Sequence, residues 1–193
     1  MKKKTLSMLM VLAALILIVP AGIVDAKAQP QDIAFSMVGD WSEEGFDPDT
    51  GNPVDVDYDA AVSLSGKTSE KSGSKYLSPL HGILDVEGTE YKIQVKALKQ
   101  SEPLYVDETR IDLPYFPPYW LGGYIISSTN SGIIEANIEG SKFIGWLEWH
   151  LSTQYDADDN IVDTSGGSTF ILFGIVDGKS VTVTLDGDAP EIN

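Results

Sequence analysis

Apolar and polar residues take turns along most of the chain after residue 30. The clearest run sets Val54, Val56, Tyr58, Ala60, Val62 and Leu64 against Asp55, Asp57, Asp59, Ala61, Ser63 and Ser65. Successive strand residues point to opposite faces, so this segment predicts a strand with one apolar face and one acidic, hydroxylated face. Gly66 ends the run, and the Ser/Lys/Gly-rich residues 67–78 predict a mobile loop.

Hairpin signals follow at short intervals. Residues 82–86 and 90–97 flank Glu87-Gly88-Thr89, with Tyr91, Ile93, Val95 and Ala97 alternating against Lys92, Gln94 and Lys96. Thr129-Asn130-Ser131-Gly132 reads as a second turn, joining residues 123–127 to 133–138. Residues 143–155 form one long apolar and aromatic strand, closed by a turn at 156–160. Residues 169–176 and 180–185 pair around Asp177-Gly178, the strongest hairpin signal, because glycine accepts the positive φ of a type I′ turn.

No window after residue 28 carries helical periodicity. Short strands parted by Gly/Asp turns predict an all-β domain of about eight to ten strands. Consecutive hairpins suit an up-and-down order, and closing the sheet removes exposed edges. The expectation is therefore a single antiparallel β-barrel, with a β-sandwich as the alternative.

The first residues change the address of the chain. Lys2, Lys3 and Lys4 precede an apolar stretch from Leu6 to Leu17, Pro20 breaks it, and Ala26-Lys27-Ala28 offers small residues at the positions a signal peptidase inspects. Residues 1–28 are read as a cleaved export signal, which places the domain at 29–193, secreted or at the cell surface, with no transmembrane span. Cleavage removes four of the 13 basic residues and one of the 29 acidic ones, so 9 − 28 leaves a net charge of −19. That field repels phosphates, and no basic patch exists to bind them, which excludes nucleic-acid partners. With no cysteine there is neither a disulfide nor a thiolate metal site.

Five constellations carry candidate chemistry. Asp47-Pro48-Asp49-Thr50-Gly51-Asn52, with Asp55 beyond, begins like a calcium loop but inverts the Gly–Asn order and lacks the closing glutamate. Asp156 and Asp158 form a second acidic turn. Both are equally the solvated, self-bonding aspartates of ordinary turns. In Trp146-Leu147-Glu148-Trp149-His150, a strand puts Trp146, Glu148 and His150 on one face and Leu147 and Trp149 on the other. A carboxylate beside an imidazole is the minimum for acid–base work, and a neighbouring aromatic could stack a planar ligand. A surface pair is the plainer account, since no nucleophile elbow accompanies it.

Tyr115, Phe116, Tyr119 and Trp120 sit among Pro114, Pro117 and Pro118, which exclude a central strand, so they either plug one end or present a binding loop. Gly39-Asp40-Trp41, after the apolar residues 33–38, resembles the Gly-x-Trp of lipocalin-like barrels, where the tryptophan closes one end. That family's disulfides and its arginine packed on the tryptophan are not evident here, Arg110 being the one arginine.

The leading expectation is a non-catalytic exported domain binding a small apolar ligand, a glycan or a surface protein, without a cofactor. One alternative is a hydrolase or isomerase using Glu148 and His150 inside a barrel. The other is a calcium-stabilised structural or adhesion domain of the cell envelope.

Overall fold

The structure, a computed structural model, describes residues 30–99, 103–113 and 122–192. In chain order its strands are β1 (Gln31–Phe46), β2 (Pro53–Lys71), β3 (Ser74–Leu77), β4 (Leu80–Val86), β5 (Thr89–Ala97) and β6 (Tyr105–Leu113). Then come β7 (Gly123–Ile138), β8 (Ser141–Tyr155), β9 (Ile161–Val176), β10 (Lys179–Asp188) and β11 (Glu191–Ile192). Among the described residues there is no helix, so none that is long and apolar enough to cross a membrane.

All eleven strands belong to one antiparallel sheet. It runs β1–β10–β9–β8–β7–β5–β4–β2, and β2 pairs back onto β1, so these strands form a ring. The barrel-or-sandwich expectation resolves to that extent: one sheet, closed on itself. Because β2 and β7 are long, each holds two partners end to end on one side. β2 carries β4 and then β3; β7 carries β5 and then β6. The β3 and β6 segments meet through the Leu104 N–H, which donates to the Lys75 carbonyl at 2.7 Å.

The predicted alternation sets the two surfaces. Ala60, Val62 and Leu64 of β2 are buried while Asp55, Asp57, Asp59, Ser63 and Ser65 are exposed. Inside the ring Phe35, Leu64, Val95, Phe143, Phe170 and Leu185 are each no more than 3 % exposed. Burial of such side chains supplies about 1.5–3 kcal/mol apiece. The interior is thus filled with side chains, not hollow. Curvature needs glycine at the tightest approaches: a Cβ on Gly82 would collide with the Ser63 carbonyl, and one on Gly145 with that of Ile171.

The hairpins at Glu87-Gly88 and Asp177-Gly178 are present, with positive φ at all four residues. Two expectations are corrected. Residues 67–78 are not one loop: β2 runs on to Lys71, turns at Ser72-Gly73, and returns as β3. Nor do residues 129–132 turn. They lie in the middle of β7, where the ladder to β8 runs unbroken through Asn130↔Trp149 and Gly132↔Leu147. Two-sided pairing overrides the local turn chemistry there, and Gly132 makes room for Leu104, whose Cδ2 would lie 2.9 Å from an added Cβ.

Candidate ligand-binding site

Alternation along β8 decides which of its residues face inward. Leu147 and Trp149 are 1 % and 2 % exposed, so Trp146, Glu148 and His150 occupy the opposite, outer surface, where Trp146 is 38 % exposed. The Glu148/His150 pair therefore lies outside the ring, and the interior geometry that the enzyme alternative requires is not met. Trp146 has Ile133 and Ile171 as its outer cross-strand neighbours.

The acidic turns bond themselves. Asp47 Oδ1 accepts the backbone N–H groups of Asp49 and Thr50 at 2.8 and 3.2 Å. Those bonds favour the charged form and lower the Asp47 pKa. Asp156 Oδ1 accepts the N–H groups of Asp158 and Asn160, and the Asn160 side chain, which lowers its pKa too. Asp49, Asp55 and Asp158 are exposed. Among the described residues no three acidic or imidazole side chains converge as a metal site. The four candidate aromatics Tyr115, Phe116, Tyr119 and Trp120 lie outside the described residues.

Each end of the ring has an opening. At the end carrying the β4–β5, β7–β8 and β9–β10 turns, Trp41 is 6 % exposed and packs on Phe143 and Tyr91, at 5.9 and 6.3 Å between ring centroids. Trp41, of Gly39-Asp40-Trp41, is thus buried at this end and lines its opening. Arg110 sits 3.8 Å over the Tyr124 ring and pairs with Asp112, remote in the fold from Trp41. The polar groups beside Trp41 satisfy one another. Its indole N–H donates to Glu43 at 3.0 Å, and Lys179 donates to the other Glu43 oxygen at 3.0 Å.

The opposite end is different. Thr68 of β2, Ser128 and Asn130 of β7, and Trp149 and Leu151 of β8 line a cavity of about 480 Å³. Trp149 forms its base and touches the core behind, edge-on to Phe35 at 5.5 Å and 73°. Asn130 is 2 % exposed, and its Oδ1 has no hydrogen-bond partner. It is the only buried side-chain polar atom so placed among the described residues. Buried polar groups are nearly always paired, so an orphan acceptor beside an open cavity marks a place shaped for something else.

Glu70 and Lys75 also line the cavity, opposite each other in the β2–β3 ladder. Glu70 is the next same-face residue after Thr68, roughly 6–7 Å further along the strand. Glu70 is exposed and Lys75 half-buried, whereas Thr68 and Asn130 are buried. Sequence reasoning passed over Asn130 and Thr68, because it placed one in a turn and the other in a loop. The signal that could have found Asn130 is the conflict itself, a polar quartet between two apolar halves of a strand with no room to reverse. No family model, no curated protein and no solved structure matches the chain.

Proposed function

We propose that this protein is an exported, non-catalytic binding protein built on an antiparallel β-barrel, which takes a small ligand at the ring end where Asn130 and Trp149 meet. The observation that carries the reading is Asn130, which lines a cavity of about 480 Å³ and whose buried Oδ1 has no hydrogen-bond partner. That volume falls within the usual range for ligand pockets, about 300–1,000 Å³. An apolar base with a few placed polar groups is the common composition of such sites.

The packed apolar interior supports a water-surrounded domain, since membrane-spanning barrels have the reverse arrangement, with a polar lumen. Export rests on the Lys2–Lys4 start, the apolar run and Ala26-Lys27-Ala28. A mature N-terminus at Gln29, read by mass spectrometry of the secreted form, tests that part.

Binding is tested by screening a fragment library against the purified protein, with backbone amide shifts as the readout. Ligands are expected to move the amides of Thr68, Asn130 and Trp149 together. A screen whose hits all map to the outer face around Trp146, or that yields none, would reject the cavity as the site.

A further inference from the structure

We infer that the ligand of this cavity is a neutral, hydroxyl-rich molecule of the saccharide class, one of whose O–H groups bonds the Asn130 side chain. The inference rests on the binding reading above and narrows it. The inner wall presents a carboxamide and two hydroxyls, from Asn130, Thr68 and Ser128, next to the apolar Trp149 and Leu151. A ligand with a carboxylate or ammonium at its leading end would find no opposite charge there, and an unpaired charge is costly to bury. Glu70 and Lys75 carry opposite charges and stand opposite each other in the β2–β3 ladder, so together they add no net charge to the lining.

A hydrocarbon ligand fails for the opposite reason. It would leave Asn130 Oδ1 unpaired, as it is in the free protein, and so bind roughly fivefold or more weakly than a ligand that bonds it. A hydroxyl group suits the carboxamide whichever way its amide plane is turned, because O–H both donates to the oxygen and accepts from the nitrogen. Sugars also present C–H faces between their hydroxyls, which is what the Trp149–Leu151 side of the wall can meet.

An added peptide strand finds no open edge at Asn130 or Thr68. At Asn130, β7 is paired on both sides, to Val106 and to Trp149; at Thr68, β2 is paired to Gln31 and to Leu77. At these two positions no ladder edge is open, so recognition by Asn130 and Thr68 is left to their side chains.

The test titrates glucose, galactose, mannose, N-acetylglucosamine, cellobiose and maltose, and separately the apolar dye Nile red, following tryptophan fluorescence and calorimetric heat. Saturable binding of at least one saccharide is expected, weakened tenfold or more by Asn130→Leu and unchanged by Trp146→Ala on the outer face. Thr68→Val, which keeps its shape, provides a second variant should the first not fold. Nile red binding that Asn130→Leu strengthens and no saccharide displaces would overturn this inference and leave the cavity reading standing. Saccharide binding lost in Trp146→Ala but kept in Asn130→Leu would overturn it as well. Silence from every probe, with no amide shift at the cavity in the fragment screen, would reject both.

Discussion

Asn130 stands directly opposite Trp149 across the β7–β8 ladder, both side chains on the inner surface and both 2 % exposed. One is an aromatic that any all-β core would accept. The other is a carboxamide whose oxygen meets no donor. Together they mark the level at which the packed interior stops and the open end begins.

That pairing has a cost for stability. A buried acceptor without a partner costs about 1–3 kcal/mol, whereas an apolar group of similar shape carries no such penalty. Asn130→Leu is therefore expected to raise the stability of the free protein by about 1 kcal/mol, which for a domain of this size lifts Tm by roughly 2–4 °C. Thermal unfolding by circular dichroism measures it. A drop of similar size would mean that Asn130 is held by the protein itself and not kept for a ligand.

The closing glycines predict a loss. Alanine at Gly82 or Gly145 drives a methyl group into the backbone carbonyl of Ser63 or Ile171, and backbone yields less readily than a side chain. Each substitution is expected to cost about 2–3 kcal/mol or more. Gly45→Ala is the control, because its nearest obstacle is a movable Val56 methyl at 3.1 Å. It should lose less than half as much in urea unfolding. Equal losses at all three positions would show that the ring tolerates a Cβ at its tight approaches.

Why some of this was legible in the sequence follows from which forces are local. β2 announced itself because from Tyr58 to Ser65 one of its surfaces packs the interior while the other meets water; Val54 and Val56 extend the alternation but are exposed. Asp177-Gly178 was legible because a two-residue turn makes a specific demand on φ. Closure was expected, but the strands that make it were not legible, since β1 and β10 come from opposite ends of the chain and no local pattern records their pairing. β6 was missed because all of its residues but Leu113 are exposed, which leaves no two-sided contrast to read. Trp149 was assigned correctly to the Leu147 face. Asn130 was not, for turn-forming residues in mid-strand look the same as a turn until the partner strands are known.

The turns themselves give an unequal pair of predictions. Glu87 and Glu139 both hold positive φ, at 49° and 46°, a region that glutamate enters at a cost and asparagine more readily. Glu139 has compensation, because its Oε1 accepts the Lys92 N–H at 3.0 Å. No side-chain hydrogen bond from Glu87 offsets its strain. Glu87→Asn is expected to stabilise by about 0.5–1 kcal/mol, while Glu139→Asn gains the same relief and loses a bond worth about as much. Tm of the first should rise and that of the second stay near the parent. A larger rise for Glu139→Asn would contradict the Lys92 bond.

Glu43 ties Trp41 to Lys179 at one end of the ring, and its ionisation gives the pH dependence its sign. The hydrogen bond from Lys179, then that from the Trp41 indole, lowers its pKa below the ordinary 4.5, and the same ion pair raises Lys179 above 10.5. A carboxylate that is more acidic when folded contributes stability above its unfolded pKa, and loses it as pH falls through the lower folded value. The raised lysine contributes below its unfolded pKa and loses it as pH rises through the folded one. Wild type and Glu43→Gln are thus expected to differ in Tm by a constant amount from about pH 6 to pH 9. The gap should close on acidification below about pH 4 and again above about pH 11. Lys179 is 56 % and Glu43 23 % exposed, so the gap is small and should shrink further in 1 M salt. A gap that persists unchanged to about pH 3 would mean that the glutamate acts there through packing and not through its charge.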